Sequence, residues 1–357
     1  MAKLYECCTP ISSNIKRSDL DFNNGKYPIY GASGFIKNVD FYERTEPYVA
    51  IVKDGAGIGR VMKLPAFSSV IGTLQYIIPK NDINVDYLAY AMEYMNLSKY
   101  YSGATIPHIY FKDYGKENLK LYNKEIQRMI VNVISKIDDL LLRRNKQLLR
   151  LDELVKSRFI EMFGDPMINP KNFPVKTIAD VSILIKGITY SPEDVSHDGI
   201  VVLRSSNIKG NLFDLDDLVK ITKKISNDKY VQENDILMCN RNGSTRLVGK
   251  VAKIPKLDEN MTFGTFMTIV RSAIYEYLFI FFQMEAFRKQ IKFQTAVAIN
   301  QISLPLLESV KIPIPPQELI DEFSDFVKRV DKSKFEIKKS LEKLELLKKA
   351  LMQKYFG

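Results

Sequence analysis

The chain repeats itself, and the repeat sets the terms for any fold it can adopt. Shifted by 193 residues, "IDDLLLRRNKQLLRLDELVKSRFIEMFG" (137 to 164) lies over "VDKSKFEIKKSLEKLELLKKALMQKYFG" (330 to 357). The shift puts Asp138 on Asp331, Leu148 on Leu341, Leu151 on Leu344, Phe163 on Phe356 and Gly164 on Gly357. Carried backwards without a gap, it puts Glu125 on Glu318 and Ile109 on Ile302. A repeat this long marks duplicated domains, not a solenoid of short units. Each copy reads as a variable globular part followed by a better-kept helical part.

The helical parts carry apolar residues three and four apart. In the first copy these are Ile126, Met129, Ile130, Val133, Ile137, Leu141, Leu148, Leu151, Val155, Phe159 and Met162; in the second, Leu319, Phe323, Phe326, Val330, Ile337, Leu341, Leu344, Leu347 and Leu351. No Gly or Pro interrupts either run, and each stops at a Gly, which takes the left-handed cap conformation at low cost. At 1.5 Å per residue each helix is expected to be about 55 to 60 Å long. A single apolar stripe of that length needs a partner, and the other copy supplies one. An antiparallel coiled coil with a globular part at either end follows as the expectation, with an internal pseudo-two-fold axis.

The globular parts mix short apolar runs with Gly, Asn and Pro. Strands are predicted at 47–53, 72–79, 199–205, 235–239 and 266–272, and helices at 85–96 and 276–291. The fold class is therefore α/β (α+β), with small irregular sheets. Four divisions follow: globular residues 1–122, helix 123–164, globular residues 165–315 and helix 316–357.

Several classes of chemistry lack their residues. Three cysteines (Cys7, Cys8, Cys239) and two histidines (His108, His197) are too few and too scattered for an ordinary zinc site. The odd cysteine count and the missing N-terminal apolar stretch suggest a reducing, cytoplasmic setting. The greasiest run, 277 to 284, is far shorter than the roughly 20 residues of a membrane span. "DGAGIGR" (54 to 60) resembles half a dinucleotide loop, but strand-like "RVMKLP" follows where a helix N-terminus is required. No P-loop and no catalytic constellation is present, so the chain is expected to be no enzyme by itself.

The net charge of +10 suggests a polyanionic partner. Residues 125–164 and 318–357 are each only +2, which leaves +6 on the remainder. Side chains able to contact base edges or phosphates cluster there. The first part offers Tyr30, Ser33, Lys37, Lys53, Arg60, His108 and Tyr110. The second offers Arg204, Ser205, Asn207, Lys209, Asn240, Arg241, Asn242, Ser244, Arg246, Asn300 and Gln301. "KDGAGIGR" and "CNRNGSTR" are read as the same turn in two copies, each followed by a Gly-Thr (Gly72-Thr73, Gly264-Thr265).

The motifs "GKYPIYGASGFI" (25 to 36), "VKDGAGIGRV" (52 to 61), "ATIPHIYFKDYGKENLKL" (104 to 121) and "INQISLPLLESVKIPIPPQELI" (299 to 320) resemble those of the specificity subunits of Type I restriction-modification systems. The resemblance runs over essentially the whole chain. It implies two target recognition domains, each followed by a long helix of an antiparallel coiled coil. It also implies a double-stranded DNA target in two unlike halves, one per domain, with an unread spacer set by the helices. Implied partners are two methyltransferase subunits and translocating endonuclease subunits; S-adenosylmethionine, ATP and Mg2+ would reside in those partners. Two departures stand out. The first domain-to-helix junction reads "NLKLYNKE" where the second reads "KIPIPPQE", and the chain opens directly on its first globular part.

Overall fold

The computed structural model describes residues 1–80, 82–103, 107–292 and 301–357. The chain packs as two units. Unit one comprises Met1–Gln147 and Ile337–Gly357, and unit two comprises Leu148–Glu336.

The centre of unit one is an antiparallel sheet of β1 (Cys8–Ser12), β2 (Tyr48–Val52), β3 (Val61–Leu64) and β4 (Leu74–Pro79), in the order β1-β4-β2-β3. Its middle strand β2 reads YVAIV and is buried at every residue, as a β-rich run covered on both faces must be. Unit two repeats this sheet with β5 (Ile183–Lys186), β6 (Ile236–Cys239), β7 (Val251–Lys253) and β8 (Met267–Arg271), in the order β5-β8-β6-β7. β6 is likewise buried throughout. A smaller sheet also recurs. Tyr27–Gly31 pairs antiparallel with Gly34–Val39 and parallel with Ser69–Val70, while Ile200–Leu203 pairs antiparallel with Val219–Ile221 and parallel with Met261–Phe263. The duplication read from the helices thus extends through both sheets of globular parts whose sequences have drifted apart, with Val195–Ser196 added to the smaller sheet of unit two.

The helix expected at 85–96 forms as α1 (Val85–Tyr94). The Asn84 side chain caps it by accepting from the amides of Asp86 and Tyr87. The one expected at 276–291 is broken into α3 (Tyr275–Phe281) and Glu285–Lys292. Phe281, Phe282 and Phe287 are all fully buried, and a straight helix would point Phe281 and Phe282 about 100° apart. The turn between the two helices brings all three rings into contact, 4.9 to 6.0 Å centre to centre.

The two long helices are α2 (Lys124–Phe163) and α4 (Gln317–Phe356), each of 40 residues. In unit one the start of α2 and the end of α4 cover the sheet, with Ile130, Ile134, Met352 and Phe356 in one core with Tyr87, Leu88 and Met92. In unit two the end of α2 and the start of α4 do the same, with Val155, Phe159, Phe163, Phe323 and Val327 against Tyr277 and Phe281. Each globular part is therefore held by the beginning of the helix that follows it and by the end of the other.

The pairing is antiparallel within each unit. Lys348 meets Asp138 at 2.9 Å while the Tyr122 hydroxyl donates to the Tyr355 carbonyl at 3.4 Å in unit one. Lys334 meets Asp152 at 2.6 Å while Arg158 meets Glu322 at 2.8 Å in unit two. The apolar stripe differs in detail from its expected course. Ile126, Met129 and Leu347 are exposed, whereas Ile134, outside the expected stripe, is fully buried. The head explains this shift. Buried Gln127 donates to the carbonyls of Asp82 and Tyr122 and accepts from the Asn84 amide, which turns the first helical turn toward the sheet.

Candidate nucleic-acid interface

In unit one the chain leaves β2 at Val52 and turns back into β3. The turn is closed by Val52 N–H to Arg60 C=O (3.0 Å) and Gly59 N–H to Val52 C=O (2.9 Å). Two further segments converge on it. Lys53 and Asp54 donate their amides to the Thr73 carbonyl (3.0 and 3.3 Å), and Ile109 N–H donates to the Lys53 carbonyl (2.9 Å). Gly55 N–H donates to the Pro107 carbonyl (2.9 Å), which completes a bridge between Asp54 and His108.

Unit two repeats five of these six bonds. Cys239 N–H meets Lys250 C=O (2.9 Å), Gly249 N–H meets Cys239 C=O (2.7 Å), Asn240 and Arg241 donate to the Phe266 carbonyl (2.9 and 3.3 Å), and Ile302 N–H donates to Asn240 (2.8 Å). Arg241 is bridged to Gln301 as Asp54 is to His108. The closing pairs are Val52/Arg60 and Cys239/Lys250, so the second turn is three residues longer. The counterpart of Arg60 is therefore Lys250, and that of Thr73 is Phe266, one place beyond the Gly-Thr match made on sequence.

Gly59 and Gly249 close the two turns with φ of +77° and +75°. A Cβ on Gly59 would also sit 2.4 Å from the Ser98 backbone nitrogen. Gly59→Ala is expected to destabilise unit one by about 1–3 kcal/mol and to displace the turn. Thermal unfolding of the variant beside Gly34→Ala, whose added Cβ meets nothing within 4 Å, checks this; equal shifts would show that the left-handed φ, not the close approach, dominates.

The expected contact residues fall into distinct groups. In unit one Ser33 and Arg60 border one open cavity of about 710 Å³ with Lys16, Arg17, Gly57 and Thr73. Arg60 donates to the Ala32 carbonyl (2.9 Å), which steadies its guanidinium across the mouth. Lys53 contacts Asp54 at 2.5 Å, and His108 Nδ1 contacts the other carboxylate oxygen at 2.7 Å. The His108 ring stacks on exposed Tyr110 at 6.3 Å. Lys37 is turned away to the Leu20 carbonyl (2.9 Å), and Tyr30 packs edge-on against Phe35 at 6.1 Å.

In unit two Arg241 lies over the ring of Phe266, 5.2 Å from its centre, and the ring itself is exposed. A guanidinium held over an aromatic face is restricted in orientation, which favours a bidentate contact. Asn242 donates to the Ser205 hydroxyl (3.1 Å) and accepts from the Ser244 amide (3.0 Å), so these three order the turn. Arg246 is exposed, and among the described residues it makes no ion pair. Asn240 keeps a buried side-chain oxygen with no partner, and Gln301 is exposed. Arg204 and Lys209 are already engaged, Arg204 with Asp217 (2.8 Å) and Lys209 with Asp214 (2.8 Å) and Asp216 (2.7 Å). Asn207 corrects its expected role. It is fully buried, donates to the carbonyls of Asp214 and Asp217 and accepts from the Arg204 amide, so it builds the loop and offers no face to a ligand. Asn300 lies outside the described residues.

Sequence reasoning missed Asp54, Phe266, Lys250, Lys16 and Arg17. Phe266 follows Gly264-Thr265 at the head of a strand, where an aromatic reads as core. Only the exposure of its ring marks it out. Nothing in the site has the look of a nucleophile. The three cysteines are buried and unpaired, and burial, with Cys7 adding to it, pushes the Cys8 thiol up to about 12. Among the described residues no group of His, Cys, Asp and Glu could hold a metal ion, and no helix is long and apolar enough to cross a membrane.

Residues 2–150 and 170–348 match the Type I restriction modification DNA specificity domain. The specificity subunit of the Type I restriction enzyme EcoKI from Escherichia coli is 29% identical over 178 residues, 46% of this chain and 38% of that protein. The StySPI specificity subunit from Salmonella potsdam is 27% identical over 196 residues, 51% of this chain and 42% of that one. The chain thus aligns with about two fifths of these two relatives. The MjaVIII specificity subunit from Methanocaldococcus jannaschii is 24% identical over 335 residues, 85% of this chain and 77% of that one. Among solved structures, the S subunit of a Type I restriction-modification system from M. genitalium superposes with a TM-score of 0.60. It is 15% identical and covers 100% of this chain and 95% of that one, a likeness of fold.

Proposed function

This chain belongs to the family of Type I restriction modification DNA specificity domains, and from that premise we propose that it is the non-catalytic, DNA-reading subunit of a Type I restriction-modification enzyme. Each unit reads one half of a bipartite target, and the paired helices fix the length of the unread spacer. Two methyltransferase subunits that modify adenine, and endonuclease subunits that translocate DNA, dock on it. S-adenosylmethionine, ATP and Mg2+ belong to those partners.

The observation that carries this reading is the twofold occurrence of one turn, held by the same backbone bonds in both units but lined by different side chains. A scaffold that is kept while its lining changes is what reading two unlike sequences requires. Unit one sets His108, Arg60 and Ser33 around its turn, and unit two sets Arg241, Asn242, Arg246 and Gln301. Tyr110, Lys53, Ser205, Ser244 and Asn240 flank them. Arg204 and Lys209, bound to acidic neighbours, are available to phosphate only by exchange of partners.

Arg241→Ala tests the division of labour. It is expected to cost about 1–3 kcal/mol of discrimination at one base pair of one half-site, and to leave the other half untouched. Competition binding with duplexes altered in either half measures this; equal losses in both halves would contradict it. A salt series supplies the second check. A chain contacting several phosphates loses orders of magnitude in affinity between about 50 and 200 mM salt, whereas a protein-binding scaffold has no such duplex affinity to lose.

A further inference from the structure

We propose that Asp54 is a positioning residue that fixes the tautomer of His108, so that unit one recognises a base amino group at one position of its half-site. The inference rests on the DNA-reading function proposed above and goes beyond it by naming the chemical group that is read.

A carboxylate repels phosphate, and on a surface meant for DNA it either accepts from a cytosine N4 directly or has its oxygens engaged by neighbours. Asp54 stands where the chain leaves the central strand, and both of its oxygens are engaged. Oδ2 lies 2.5 Å from Lys53 Nζ, and Oδ1 lies 2.7 Å from His108 Nδ1. The backbone holds the pair in place. Asp54 and His108 are bridged, and the flanking bonds Gly55 N–H to Pro107 and Ile109 N–H to Lys53 clamp both segments. An ionised carboxylate only accepts hydrogen bonds, so the proton between the two side chains belongs to Nδ1. A neutral imidazole with its proton on Nδ1 carries a lone pair on Nε2. Among the described residues Nε2 makes no hydrogen bond, and the side chain is 36% exposed.

The charged and titratable groups around the ring are Asp54, Lys53, Tyr110 and, over the Tyr110 ring, Lys112. Lys53 and Arg60, the basic groups proposed to contact DNA in unit one, are both donors. They suit phosphates and the guanine acceptors O6 and N7. A neutral His108 is an acceptor at Nε2, and the groups it suits in the major groove are adenine N6 and cytosine N4. In unit two the same two positions are Arg241 and Gln301, so the second half-site is an internal control.

Asp54→Asn separates this role from a structural one. The ammonium of Lys53 can face only the amide oxygen, which turns the amide NH2 toward His108 Nδ1. That nitrogen must then accept, the proton moves to Nε2, and the acceptor becomes a donor. The same isosteric exchange in serine proteases leaves the geometry intact and imposes the wrong tautomer. Removing Lys53 as well frees the amide to rotate back.

The experiment is selection from a randomised duplex library with the full chain, its Asp54→Asn, His108→Ala and Lys53→Met/Asp54→Asn variants, and thermal unfolding of each. The wild type is expected to enrich adenine or cytosine at one position of one half. Asp54→Asn moves that position toward guanine or thymine by about 10-fold and leaves the other half unchanged. His108→Ala loses preference there alone, and the double variant recovers the wild-type preference. An Asp54→Asn chain that keeps the wild-type base, or that weakens every position alike, overturns the inference while the DNA-reading function stands. If Asp54→Asn does not fold, His108→Ala decides: retention of the wild-type base overturns the inference, and loss at that one position supports it. A wild-type chain that enriches no sequence overturns the DNA-reading function and the inference with it.

Discussion

Phe159→Ala is expected to cost unit two about 3–5 kcal/mol. Phe159 is fully buried near the end of α2, with ring centres 5.0 Å from Phe163, 4.9 Å from Tyr277 and 5.6 Å from Phe323. These four rings come from α2, α3 and α4, so one side chain joins the globular part to both helices. Tyr277 is fixed from behind, its hydroxyl donating to the Pro313 carbonyl at 2.7 Å, and cannot swing in to fill the void. A cavity that cannot collapse is the expensive kind. Hydrogen exchange read segment by segment is the appropriate measurement. Protection is expected to fall across 148–336 and to hold in 1–122; loss spread evenly over the chain would contradict the division into two units.

Lys253→Met is the second large effect, and it has a pH signature. Lys253 ends β7, beyond the turn that Gly249 closes, and contacts Glu276 (2.7 Å) and Asp331 (3.1 Å). Glu276 is 2% exposed, and its second oxygen has no partner. Burial pushes the Glu276 carboxyl above its usual range, with Lys253 opposing the rise. Burial also pulls on the Lys253 ammonium, but Glu276 and then Asp331 outweigh it, and the net direction is up. The contribution of Lys253 is therefore fully present below the ordinary lysine range and is lost as pH rises through its folded value. For Glu276 the sign is the same in a lower pH window: its raised folded value means that stability falls as pH climbs from the ordinary carboxylate range through that value. Without Lys253 an ionised Glu276 has no compensation, at a cost of about 3–5 kcal/mol. The deficit is expected to be full at pH 8 and to shrink toward pH 5, where the carboxyl takes up a proton. Chemical denaturation of both chains at the two pH values checks the sign; a deficit that grows on acidification would contradict it. Lys253→Met/Glu276→Leu, which removes both charges, is expected to recover most of the loss.

The same triad shows what could be read from the sequence and what could not. The repeat put Asp138 on Asp331, and each turns out to tie its helix to its globular part, Asp138 through the Tyr90 hydroxyl (2.8 Å) and Asp331 through Lys253. The equivalence was legible because the helical period preserves register. The partners were not, because they lie 48 and 78 residues away on elements that have diverged. Phe163 and Phe356 were likewise matched by the offset, and Phe356 packs on Tyr87 at 5.2 Å as Phe163 packs on Tyr277 at 5.0 Å. No local pattern says that each helix end packs on the globular part of the other repeat and not on the one that precedes it in its own. In the two turns after the central strands, glycines and basic residues announced the same hairpin twice. The three extra residues of the second turn hid the pairing of Arg60 with Lys250, since loop sequence carries no register. Asp54 and Phe266 escaped notice because their roles come from side-chain neighbours, His108 and Arg241, on other segments.

The most direct test of the whole account is a methylation map. The full chain is co-expressed with a Type I methyltransferase subunit, and modified adenines are located across a sequenced plasmid and chromosome, with and without this chain. The expected map is a single motif of two unlike halves around a spacer of fixed length, present only when the chain is present. Methylation without a bipartite motif, or a map that does not change when the chain is removed, would contradict the central claim.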